Sequence, residues 1–173
     1  MSIRRQVVTT VYAGFLFGVL GLIAWASGQA FVFPSLGPSA FVLAFDRHAD
    51  RGQLREIVLA HAIGCVGGFA AWTLAAPEAV ITTTPPPFSA AGFELISSAV
   101  LSIVLTTLGM VSLGQIHPPA CATTLIVSLG LLSTPLAVAI IVVSVALLVV
   151  VHASVVFGFE RAVGTDSING TRG

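Results

Sequence analysis

The chain has 173 residues, 56% of them hydrophobic and 8% charged, with a net charge of zero and a mean hydropathy of +1.03. A soluble domain carries roughly a quarter charged residues, so this composition excludes a water-exposed globule and points to an integral membrane protein. All seven basic residues are arginine and none stands in a basic run, which excludes nucleic acid as a partner.

The first predicted segment covers residues 7–27 and is long enough to cross a bilayer. Arg4 and Arg5 before it and Ala26-Ser27-Gly28-Gln29-Ala30 after it imitate a signal peptide. The apolar run is longer than a signal core, so an uncleaved span is expected. Gly14, Gly18 and Gly21 form a small-residue stripe that predicts close helix packing, and Trp25 suits an interfacial anchor. The second apolar piece, 31–45, is broken by Pro34, Gly37 and Pro38. It predicts an extended lead-in followed by a short helix from Pro38 to Phe45.

Residues 46–56 form the most polar internal loop, with Arg47, Arg51 and Arg55 among acidic residues. A third segment follows over 57–76 and contains His61, Gly64, Cys65, Gly67 and Gly68. Residues 77–90 are a loop with Pro85-Pro86-Pro87 and no basic residue, and a fourth segment covers 93–113. A second broken segment, 117–132, opens on His117-Pro118-Pro119-Ala120. The last span runs from Pro135 to about Phe159 and contains His152. Residues 164–173 are polar and are expected to be a disordered tail after a transmembrane domain covering 1–163.

Shifting the sequence by 80 positions lays Leu36-Gly37-Pro38-Ser39-Ala40 on Ile116-His117-Pro118-Pro119-Ala120. The order of elements also matches, giving two repeats of about 7–76 and 87–156. The arginines are expected to share the cytoplasmic side. They do so only if both broken segments cross, which makes six crossings. Three crossings per repeat turn the second repeat upside down relative to the first. The expected fold is therefore an all-α membrane protein of two inverted repeats, each with a broken half-helix. The two half-helix starts would then meet near the midplane and offer backbone N–H groups and positive dipole ends to a small anion.

His117-Pro118-Pro119-Ala120, with Pro34-Ser35-Leu36-Gly37-Pro38-Ser39-Ala40 upstream, resembles the HPP family of integral membrane proteins. The resemblance covers about residues 15–156. Cys121 stands where the family usually has glycine, and the loop before His61 is divergent. Plant chloroplast members are implicated in nitrite transport. The resemblance thus implies a transporter or channel for a small monovalent anion, nitrite first, in a prokaryotic inner membrane with both termini cytoplasmic. The partners expected are the anion, a proton as its candidate companion, the lipid bilayer and a second copy of the chain. No cofactor, metal or enzymatic activity is expected.

Candidate binding residues are Ser35, Gly37, Pro38, Ser39, Ala40, His61, His117, Pro118, Pro119, Ala120, Thr123 and Thr124. An ionisable ring inside a membrane segment marks a site by default, and the hydroxyls donate to anions when they are not bonded to helix backbone. His152 and Glu94 are expected in structural and interfacial roles. The spacings of His61 to Cys65 and His117 to Cys121 put each pair on one helix face. They leave a metal-binding membrane oxidoreductase as one alternative, and a non-transporting sensor or accessory subunit as another. A Ser-His-Asp hydrolase is disfavoured because no acidic residue lies in the membrane core.

Overall fold

The computed structural model describes residues 2–46 and 49–169, with side chains described through Arg161. Arg47 and His48 lie outside the described residues. Six helices follow in order: α1 (Ile3–Ser27), α2 (Leu36–Phe45), α3 (Arg51–Ala75), α4 (Ala90–Leu113), α5 (Ala120–Ser128) and α6 (Pro135–Asn169). The described chain is all-helical, and α1, α3, α4 and the first 27 residues of α6 are long and apolar enough to span a membrane. The molecule is a multi-pass integral membrane protein.

Helix boundaries lie where local chemistry places them. Ser2 and Ser89 accept the N–H of Arg5 and Gly92 and cap α1 and α4. A capping box between Asp50 and Gln53 starts α3 at Arg51, six residues earlier than expected. The short α2 begins at Leu36 rather than Pro38, since a proline in the first turn loses no helical hydrogen bond. The second short helix begins at Ala120, after Pro118 and Pro119 have formed a tight turn, and ends at Ser128 instead of reaching Leu132. Gly130, at φ +80, packs directly on the Ala79 carbonyl and turns the chain there. Of the expected tail, α6 includes the residues to Asn169, and 170–173 lie outside the described residues.

Every described arginine is at one end of the bundle. Arg5 lies over the Phe45 ring at 5.9 Å, and the same side chains share a cavity with Asp46 and Glu160. Arg55 shares a groove with Leu113 and Gln115. At the opposite end, Ile81 N–H donates to Leu129 O at 3.0 Å. Each broken segment is part irregular chain and part short helix, α2 and α5.

Helix pairing follows a pattern. α1 packs on α2 as α4 packs on α5; α1 meets α6 as α4 meets α3; α2 meets α6 as α5 meets α3; and α3 meets α6. The two halves differ in closeness. On α3 a methyl at Gly64 would lie 2.8 Å from Ala120 O, and one at Gly68 would lie 2.6 Å from Thr124 O. Only glycine lets α5 lie this near. The facing positions of α6 are larger, with Ile141, Ser144, Val145 and Leu148 buried, and hold α2 further away. The Gly14, Gly18 and Gly21 stripe of α1 does not work this way: nothing lies within 4 Å of a methyl placed at any of them. α1 instead buries Thr9, Leu16 and Leu20. A Gly68→Ala exchange is expected to destabilise the folded protein by about 1–3 kcal/mol through overpacking, whereas Gly18→Ala leaves it unchanged. Thermal unfolding of the two variants in detergent checks this contrast.

Candidate functional site

The starts of α2 and α5 meet the middle of α3. Ser35 is the residue before α2, and its hydroxyl makes no cap to that helix. It reaches across to Thr123 Oγ1 on α5, at 2.6 Å. Thr123 Oγ1 is also 2.7 Å from His61 Nδ1. On the other face of that ring, His61 Nε2 lies 2.9 Å from Ser39 Oγ of α2. His117 approaches from the extended lead-in to α5, with its Nε2 3.0 Å from the same Ser39 oxygen. The ring centroids of His61 and His117 are 5.4 Å apart. Ser39 Oγ completes its set by donating to Ser35 O at 3.2 Å.

Ser35, Ser39, His61, Thr123 and Thr124 are fully buried, and His117 is 5% exposed. Among the described residues no buried side-chain nitrogen or oxygen lacks a partner. His117 rests at the floor of a cavity of about 360 Å³ on the arginine-bearing end, walled by Val42, Leu43, Glu56 and Ile57. Asp46 and Gln53 also line it. The Glu56 carboxylate accepts the Ile116 N–H at 2.7 Å and so holds the peptide just before His117.

The other candidates divide. Ala120 belongs to the close contact with Gly64 rather than to a ligand surface. Pro118 and Pro119 line the cavity. Pro38 is exposed and Gly37 half-buried, with open space where a methyl would project from it; both shape the first turn of α2 while Ala40 packs in the apolar core. Thr124 donates to Gly64 O at 2.5 Å and receives the Thr106 hydroxyl, so it fastens three helices together. The backbone N–H groups expected to seat an anion are largely used. Leu36 N donates to Phe33 O, and Ala120, Cys121 and Ala122 donate to the carbonyls of His117, Pro118 and Pro119. Prolines force this tight turn, and it consumes those donors. The groups that converge at the site are therefore hydroxyls and imidazoles.

Away from the site, His152 Nδ1 pairs with Tyr12 Oη at 3.1 Å, and Glu94 is exposed. Cys65 lies in the main apolar cluster and Cys121 against Ala60 and Met110. Among the described residues no three metal-ligating side chains gather.

Three partners were not singled out in the sequence. Ser98 donates to Ser128 O at 2.7 Å, and Ser102 to Ser128 Oγ at 3.1 Å. With Thr106 they form a hydroxyl stripe on one face of α4, and their spacing of four in an otherwise apolar helix was the available signal. This stripe continues the polar seam from Thr124 toward the end opposite the arginines. Thr124→Val removes the side-chain donor to the Gly64 carbonyl and leaves the Thr106 hydroxyl without its partner on α5, and loss of about 1–3 kcal/mol is expected. A double-mutant cycle with Thr106→Val, read by thermal unfolding, should give a coupling clearly above zero.

The family model described as HPP, transmembrane region, matches residues 1–163. No curated protein and no solved structure matches.

Proposed function

The chain belongs to the HPP transmembrane family, and from that footing we propose that it moves a small monovalent anion, nitrite first, across a prokaryotic inner membrane. The observation that carries the reading is the meeting of the α2 and α5 starts on His61 and His117, buried in the bundle and bordering a cavity at one end. A buried cluster of ring and hydroxyl donors with no carboxylate among its members suits an anion of low charge. It suits sulfate or phosphate poorly, because their dehydration costs more.

The architecture behind this reading is a six-crossing bundle of two inverted repeats. The exchange of α1, α2 and α3 with α4, α5 and α6 preserves the helix pairing described above. Exchanged helices run in opposite directions, as an inverted repeat requires. The arginine-bearing end is the cytoplasmic one by the positive-inside tendency. In this reading the cavity over His117 opens to the cytoplasm, and the Ser98–Ser102–Thr106 face leads outward.

Reconstitution in liposomes tests the function. Nitrite or formate uptake is expected to exceed sulfate uptake, and equal or faster sulfate flux overturns the site. In a background lacking Cys65 and Cys121, a cysteine replacing Ala49 should react only from the cytoplasmic side and one replacing Phe88 only from outside. Outside labelling at position 49 removes the six-crossing architecture.

Proton dependence follows from reciprocity. If a bound anion favours a charged ring, acid must favour anion binding. Among the described residues, the titratable groups around His117 are His61 on α3 and, lining the same cavity, Asp46 and Glu56. Uptake, corrected for the anion's own protonation, should rise as pH falls from about 8 to 5. His117→Gln should flatten that profile, and a folded His117→Gln protein with the wild-type profile assigns the proton elsewhere.

A further inference from the structure

Counting hydrogens at the site fixes more than distances do. The cluster contains five contacts: Ser35 Oγ to Thr123 Oγ1, Thr123 Oγ1 to His61 Nδ1, His61 Nε2 to Ser39 Oγ, His117 Nε2 to Ser39 Oγ, and Ser39 Oγ to Ser35 O. With both rings neutral, the three hydroxyls and two imidazoles supply five hydrogens, one per contact. The Ser35 carbonyl only accepts, so it must take the Ser39 hydrogen. Ser39 then has only lone pairs left for the rings, and both histidines must carry their hydrogen on Nε2. His61 Nδ1 is therefore bare and takes the Thr123 hydrogen, and Thr123 takes that of Ser35. All five contacts are made in this arrangement and in no other.

Two ring N–H groups thus point at a single oxygen from two directions, at 2.9 and 3.0 Å. We propose that Ser39 Oγ occupies the seat of a ligand oxygen: His61 and His117 form a two-donor clamp for one oxygen of a monovalent oxyanion, and the Ser39 hydroxyl fills it in the ligand-free protein. This deepens the transport reading above and rests on it for the identity of the ligand. The hydroxyl is a fitting occupant because it satisfies two buried N–H groups without charge. It is also removable, since a serine leaves its position by one side-chain rotation between staggered states. An anionic oxygen makes stronger bonds to the same donors than a neutral hydroxyl does, so the exchange favours the ligand. Thr123 is a positioning residue: its hydrogen bond to Nδ1 keeps the His61 proton on the nitrogen that faces the clamp. Ser35 in turn keeps Thr123 a donor toward the ring.

The clamp and its occupant have separate signatures. Protein labelled with ¹⁵N-histidine is reconstituted in bilayers, and the ring nitrogens of His61 and His117, assigned through His61→Gln and His117→Gln, are read by NMR. Both rings are expected as the Nε2–H tautomer without ligand, and Thr123→Val should admit the Nδ1–H form at His61 alone. Sodium nitrite, compared with sodium chloride at equal ionic strength, should shift the Nε2–H resonances of both rings. Ser39→Ala removes the competitor, so it should unfold at lower temperature than wild type but bind nitrite about fivefold more tightly, the equivalent of one neutral hydrogen bond of about 1 kcal/mol. An Nδ1–H tautomer at either ring in the ligand-free protein overturns the proposal. So does a folded Ser39→Ala protein with unchanged or weaker nitrite affinity. Where Ser39→Ala does not fold, the wild-type spectra decide alone. Nitrite uptake without movement of either ring resonance sinks the clamp and leaves transport standing. Ring shifts without uptake keep the clamp and remove transport, and absence of both removes both.

Discussion

The near approach of α5 to α3 determines where everything polar inside this bundle sits. Gly64 and Gly68 leave no side chain between the helices, so the carbonyls of Ala120 and Thr124 come to rest almost on the α3 backbone. That places Thr124 to bond Gly64 O and Thr123 to bond His61. It also fixes the level at which the lead-in delivers His117. Larger residues at these two glycines would separate the helices, and the rings, hydroxyls and carbonyls would lose their partners together.

A hydrocarbon surround makes that loss costly. Water is absent, and each polar group must be answered from within the chain. The described part of the molecule meets this demand without a buried orphan. It does so with short hydroxyl side chains, which reach only a neighbouring helix and therefore report helix proximity. Thr106, Ser102 and Ser98 on α4 are placed this way, each within reach of α5. α2 is different. It packs on α1, and its ties to α3 and α5 run through Ser35 and Ser39. The helix that bears the oxygen between the two rings is thus tied to them by side-chain hydrogen bonds.

Much of this was legible in the sequence, because hydropathy and proline are strong local signals. The long helices and both broken segments follow from apolar run lengths and from Pro34, Pro38, Pro118 and Pro119. The burial of His61 and His117 was legible for the same reason. Helix starts were misplaced where the signal was a capping side chain, as with Asp50 and Gln53, or where proline belonged to the first turn, as with Pro38. The glycines show the limit of pattern reading. Gly14, Gly18 and Gly21 have the spacing of a packing stripe but face open space where a methyl would project, while Gly64, Gly67 and Gly68 carry the contact. Spacing alone does not say which face of a helix looks inward. Pairings between distant residues, such as Ser39 with two rings, depend on three helices at once and leave no local trace.

The bond between Glu56 and the Ile116 amide has a mechanical consequence. One carboxylate on the second turn of α3 holds the peptide directly before His117. His61 lies five residues further along the same helix. A tilt of α3 pivoting near Gly64 would swing its Arg51 end through a wider arc than its centre. Glu56 would carry His117 along that arc, while His61, nearer the fulcrum, would move less. Under such a tilt the distance between the two rings would follow the angle of a single helix, with a lever of about one and a half helical turns between Glu56 and His61.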